Sequence, residues 1–293
     1  MILHRSLLFV PGGRQELLEK AARFRADVLC LDLEESVLPE EKAAARGFVR
    51  DAIAALAQAG RTVQVRLNSI RSVETRDDLA TVVQPGLASV LLAKTETPQE
   101  VRDVDVLLRE QELAYQIKAG TIELVLAIES ARALLRCQEI AQASTRTVAL
   151  MLGGEDFTFD MGVRRTKEGR ELDYARAAVA TCARAFGLLA LDTPWADIAD
   201  IEGLTADAER ARGLGFSGKY IIHPSHIDPV HAVFTPGEEE IAQARKVLAA
   251  WEEAQARGVG AVQLDGRMVD RPVAERARQV VELAERAPNP RNH

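Results

Sequence analysis

Two short apolar runs in the middle of the chain, Glu123–Ile128 and Thr147–Leu152, each stop at acid: Glu129 after the first, Glu155 and Asp156 after the second. Between them, Ala131–Gln142 has the composition and spacing of a helix. Strand, helix, strand is a βαβ unit, whose strands run parallel and whose crossover is almost always right-handed. Glu129 and Asp156 therefore leave neighbouring strands at the same end and face one crevice. Two carboxylates so placed can hold a divalent cation or work as an acid/base pair. The competing expectation is that they cap the helices that follow.

Other runs deliver polar groups in the same way. Asp27–Leu33 leads to Asp32, Glu34 and Glu35; Thr62–Leu67 carries Arg66 and Asn68; Ala88–Ala93 stops at Lys94 and Glu96. Gly187–Leu191 is followed by Asp192, and Gly218–Ile222 by His223 and Pro224. With Leu7–Val10 at the start, these make eight strand-like runs, each followed by a helical stretch. That order describes an α/β fold of the (β/α)₈ TIM-barrel type, which gathers all the strand C-termini on one face. An open doubly wound sheet would want a G-x-G-x-x-G turn after an early strand, and Pro11-Gly12-Gly13 does not supply it.

The barrel is expected over residues 1–224, with residues 225–293 as an extension packing on the barrel or on a neighbouring subunit. In that extension Pro236–Arg257 and Pro272–Arg286 read as helices, flanking a hairpin that turns at Asp265-Gly266. The tail Pro288–His293 is expected to fray.

Composition narrows the function. A formal net charge of −7 argues against broad nucleic-acid binding, though a local arginine cluster could still hold an anion. No apolar run approaches the roughly 18 residues that cross a bilayer. Met1–Gly13 lacks a small-residue cleavage site, so no signal peptide is read there. Cys30, Cys137 and Cys182 read as reduced core thiols, which suits a cytoplasmic protein. His223, His226 and His231 are close in sequence, but Pro224 prevents one helix from presenting them together as a zinc site.

A family pattern runs through nearly the whole chain in order. It comprises RSLLFVPGG (5–13), LDLEESV (31–37), VRLNS (65–69), LLAKTET (91–97), LAIES (126–130), LGGEDF (152–157), GLLALDTPWADIADIEGL (187–204), GFSGKYIIHP (215–224) and GRMVDRPVAERA (266–277). Jointly these resemble the citrate lyase β-subunit-like branch of the HpcH/HpaI aldolase superfamily, which includes malyl-CoA and citramalyl-CoA lyases. The resemblance implies a carbon–carbon lyase acting on a 3-hydroxyacyl-CoA to give acetyl-CoA and a small 2-oxo acid. It implies Mg²⁺, with Mn²⁺ as the alternative, held by Glu129 and Asp156, and coenzyme A as part of the substrate. Arg66 would grip and polarise the cleaved acid. Asp270, in the last motif, would be the base, reaching a neighbouring subunit's site in a homotrimer or homohexamer; the bland reading is a helix N-cap.

Asp32 and Glu34 join the catalytic set as acids that orient Arg66 or Lys94, with a purely structural ion pair as the alternative. Lys94 and Arg5 are candidate substrate contacts, and a Schiff-base role for Lys94 is the competing reading. Arg164, Arg165, Lys167 and Arg170 either meet the CoA phosphates or form a solvated loop. Departures from the pattern are Glu35 where aspartate is usual, Ala93 before Lys94 where proline is common, and IES for IET. The alternative functions are a citrate lyase β subunit working on an acyl-carrier-protein thioester, a metal-dependent aldolase for free hydroxy-keto acids, and a non-catalytic scaffold. The extension with Asp270 favours the stand-alone lyase.

Overall fold

The computed structural model describes residues 3–286, so the expected frayed tail, Pro288–His293, lies outside the described residues. Eight parallel strands close on themselves: β1 (Ser6–Pro11), β2 (Val28–Asp32), β3 (Val63–Leu67), β4 (Leu87–Leu92), β5 (Glu123–Ile128), β6 (Thr147–Leu152), β7 (Leu189–Asp192) and β8 (Gly218–Ile221). Each pairs with the next, and β8 returns to β1 with Leu8 opposite Ile221. This is the (β/α)₈ TIM barrel that the eight runs predict.

Side-chain alternation explains what the barrel holds. Residues two apart on a strand share a face. Leu7, Val28, Cys30, Val125, Ala127, Ala149, Met151 and Tyr220 belong to one buried cluster that fills the interior. Continuing that parity by one step reaches Asp32 on β2 and Glu129 after β5. Gln64 is on the inner face of β3, where it accepts from the Tyr220 hydroxyl at 2.7 Å and donates to Ser89 at 3.0 Å. Arg66, two residues on, follows it inward. The acids and the arginine thus cap the apolar plug.

Contact density divides the chain into two compact units, residues 1–230 and 231–293. In the second, the helix Glu238–Ala256, a hairpin and the helix Arg271–Arg286 surround a small core of Trp251, Val269 and Ala274. The hairpin strands, β9 (Val262–Leu264) and β10 (Arg267–Val269), are antiparallel. Asp265 and Gly266 both have positive φ, 50° and 76°, as a two-residue hairpin turn of this kind requires. Among the described residues no helix is long and apolar enough to cross a membrane.

Candidate active site

Arg66 is the most constrained side chain at the barrel mouth. Its Nε and Nη2 donate to the two oxygens of Asp32 at 2.6 and 2.8 Å, and Nη1 lies 3.1 Å from Glu34 Oε2. The guanidinium stacks over Phe9, 4.6 Å from the ring centroid, and Phe9 in turn stacks on Tyr220. Asp32 and Arg66 are directly paired in the β2–β3 register, so the sheet itself sets the bidentate pair. Asp32 also accepts the backbone N–H groups of Glu34 and Ser36. Burial works against its charge, but the Arg66 cation and these hydrogen bonds outweigh it and hold the carboxyl below its usual range. Both Asp32 oxygens are occupied within the protein, and Glu34 pairs with Arg66 through one oxygen and with Lys94 through the other.

Glu129 is almost completely buried. Its Oε2 accepts the Lys94 backbone N–H at 2.8 Å. Its other flank lies against Gly153, where a Cβ would come within 2.3 Å of Glu129 Cγ, so glycine is what lets the carboxylate sit there. Burial, then the Asp156 and Glu34 carboxylates, push Glu129 up to about 7. Asp156, on the first turn of the helix Gly154–Asp160, is also raised, by burial and then by Glu35. Lys94 Nζ is 2.7 Å from Glu35, 3.1 Å from Glu34 and 3.8 Å from Asp156. Burial disfavours its charge, yet bonds to Glu35 and Glu34 raise its pKa overall. An ammonium held that firmly protonated is a poor Schiff-base nucleophile.

Phe9, Asp32, Arg66, Glu129, Asp156 and Thr193 line a cavity of about 250 Å³. A larger groove of about 620 Å³, lined by Val73, Arg76, Asp103 and Val106, lies on the outer helices. It has no convergent buried charge, which makes the smaller cavity the candidate site.

Of the residues expected from sequence, Arg66, Asp32, Glu34, Lys94, Glu129 and Asp156 come together here. Arg5 does not. It precedes β1 at the opposite end of the barrel, where its Nε and Nη2 grip Asp27 at 2.9 and 2.8 Å, so the expectation of a substrate contact is corrected. Asp192 is also misplaced by the sequence reading. Leu191 faces the interior, so Asp192 points outward, sealed with Arg176, Asp207 and Lys219. His223 binds Ser225 locally. Lys167 is tied to Asp197 and Asp200. Asp270 lies in the second unit, half-buried, accepting the Val273 N–H at 3.2 Å as the cap of the final helix. Sequence reading missed Phe9 and Thr193. Thr193 Oγ1 accepts the Gly154 N–H at 2.9 Å and so supports the turn before Asp156. Strand parity could have found both.

Among the described residues no group of three or more His, Cys, Asp or Glu side chains is placed to hold a metal. Glu129 and Asp156 offer two hard oxygen donors that repel each other and face an open cavity. That set fits Mg²⁺, which commonly takes one or two carboxylates and completes its octahedron with water and substrate oxygens.

A family model described as HpcH/HpaI aldolase/citrate lyase matches residues 5–224. Citrate lyase subunit beta of Leuconostoc mesenteroides subsp. cremoris is 36% identical, over 96% of this chain and 93% of that protein. An L-malyl-CoA/beta-methylmalyl-CoA lyase of Cereibacter sphaeroides is 36% identical, over 96% of this chain and 95% of its own. The structure of protein CitE from Mycobacterium tuberculosis, in complex with magnesium, acetoacetate and coenzyme A, is similar at 32% identity and a TM-score of 0.79. It covers 97% of this chain and 98% of that one.

Proposed function

From the premise that this chain belongs to the HpcH/HpaI aldolase/citrate lyase family, we propose that it is a stand-alone lyase of 3-hydroxyacyl-CoA thioesters. The carbon–carbon lyase activity comes with the family and with relatives named citrate lyase and malyl-CoA lyase. The observation that carries the finer reading is Arg66, gripped through both oxygens of Asp32 and set beside Glu129 and Asp156 in one cavity.

Cleavage removes the proton of the substrate hydroxyl, breaks the adjacent carbon–carbon bond, and leaves the electron pair on the thioester as its enolate. The hydroxyl carbon becomes the carbonyl of a 2-oxo acid, and protonation of the enolate gives acetyl-CoA. Arg66 binds the departing acid and offsets negative charge on its oxygens, a task for a preorganised, rigid fork. Asp32, Glu34 and Phe9 hold that fork still, so little reorganisation accompanies the reaction. Glu129 and Asp156 would hold Mg²⁺, as the magnesium complex of the M. tuberculosis relative supports. When bound, such a cation supplies Lewis-acid stabilisation of oxyanion charge.

Asp270 is our choice of base. Its carboxylate caps a helix through Oδ1, a role compatible with proton transfer. We assign residues 1–224 to catalysis and 225–293 to an extension that brings Asp270 to a neighbouring subunit in a homotrimer or homohexamer. The relatives favour a second reading, a citrate lyase β subunit that uses a carrier-protein thioester. Extension length does not separate the two, because the Leuconostoc β subunit aligns over 96% of this chain.

Purified protein should be assayed on malyl-CoA, citramalyl-CoA and citryl-CoA, each with Mg²⁺ and with EDTA, with products read by mass spectrometry. Metal-dependent release of acetyl-CoA with glyoxylate, pyruvate or oxaloacetate is expected and names the substrate. Silence on all three, from folded protein, overturns the stand-alone reading in favour of the carrier-dependent subunit or a free-acid aldolase.

A further inference from the structure

Lys94 has the least ordinary backbone in the site. Its φ of 54° lies in the left-handed region, which disfavours any residue with a Cβ. The neighbourhood shows what the conformation achieves. The backbone N–H is aimed at Glu129 Oε2, 2.8 Å away, while the side chain reaches a cluster of acids. There Glu35 and Glu34 tether the ammonium at 2.7 and 3.1 Å, with Asp156 at 3.8 Å. One residue therefore touches both acids of the pair: Glu129 through its backbone, Asp156 through its charge.

The two contacts act on a divalent cation in opposite directions. Fixing Glu129 against Gly153 presents a preorganised oxygen. A tethered positive charge beside Asp156 repels a cation approaching that carboxylate, and the partly buried setting weakens screening. Glu35 strengthens the tether, because its carboxylate makes the shortest of the three contacts.

We propose that Lys94 is a positioning residue with two separable parts: a left-handed backbone N–H that fixes Glu129, and a tethered ammonium that holds down divalent-cation affinity at Asp156. The inference rests on reading Glu129 and Asp156 as the cation carboxylates, and it adds a regulator of that affinity within the chain itself.

The test is calorimetric titration of Mg²⁺ into substrate-free wild type, Lys94→Gly, Lys94→Gln, Lys94→Arg and Asp156→Asn, with circular dichroism of each. Glycine adopts the left-handed backbone freely and keeps the N–H, so Lys94→Gly removes the side chain and its charge while the backbone contact to Glu129 stays available. Lys94→Gly should bind Mg²⁺ about tenfold tighter than wild type, and Lys94→Gln should shift the same way. Lys94→Arg, which keeps the charge, should stay within about threefold of wild type. Unchanged or weaker binding by Lys94→Gly overturns the proposal; if that variant does not fold, Lys94→Gln decides on the same criterion. A merely structural lysine would weaken binding in all three substitutions. Asp156→Asn tests the premise separately: if it binds Mg²⁺ as wild type does, the cation assignment falls whatever Lys94 does.

Discussion

Two buried ion clusters in the barrel unit are built from the same parts and do different things. Under β7 and β8, Arg176 and Lys219 meet Asp192 and Asp207 at 2.5–3.0 Å, and the four charges cancel. Arg176, Lys219 and Asp192 have no exposed surface. At the mouth, Asp32, Glu34, Glu35, Glu129 and Asp156 share Arg66 and Lys94, leaving an excess of negative charge open to a cavity. A balanced, sealed cluster offers no net charge to a ligand, and its desolvation is offset by its own pairs. In the unbalanced cluster Glu34, Glu129 and Asp156 are raised, by burial first and then by neighbouring carboxylates, and the excess charge attracts a cation. Charge excess and access, rather than burial or the number of ion pairs, mark the functional one.

Substitutions should separate the two. Arg66→Lys at the mouth should lower kcat/KM by about 10³-fold, because an ammonium cannot reproduce the bidentate fork, while the melting temperature changes little. Steady-state kinetics beside thermal unfolding checks this, and equal loss in both would make Arg66 structural. Asp192→Asn should do the reverse. It strands Arg176 and Lys219 with one carboxylate between them and should cost about 3–5 kcal/mol in urea unfolding. Mg²⁺ affinity of the folded variant should be unchanged.

The pH dependence of stability provides a third contrast. Glu129 titrates at about 7 in the folded protein, above the ordinary glutamate value of roughly 4.3. Below the unfolded value both states hold the proton. Between the two values the folded protein keeps it and the unfolded chain loses it, so this stabilisation falls away as pH rises to about 7. The total is about 4 kcal/mol. Urea unfolding in EDTA from pH 4 to 8 should show that decline, and Glu129→Gln should flatten it. The smallest effect is expected from Glu35→Gln. Glu35 is half exposed, and Glu34 retains Lys94, so stability should move by less than about 1 kcal/mol in thermal unfolding.

The sequence by itself determined the barrel, because a short apolar run followed by a helical stretch, repeated eight times, has few other ways to bury itself. It also determined that Arg66, Lys94, Glu129 and Asp156 share a face, since parallel strands end together. The Asp265-Gly266 turn was equally legible, because few residue pairs accept positive φ in succession. Only the tertiary structure decided which polar strand-end residues point inward. Asp192 and Asp32 look alike in sequence, yet the parity of Leu191 turns one into the helix layer, while that of Cys30 turns the other toward Arg66. Arg5 failed as a site residue for a related reason: it precedes its strand, and the barrel sends strand starts to the far end. The left-handed Lys94 and the Glu129–Gly153 contact depend on atoms from β4, β5 and β6 meeting at one point. No local pattern encodes that meeting, because it comes from the closure of the barrel.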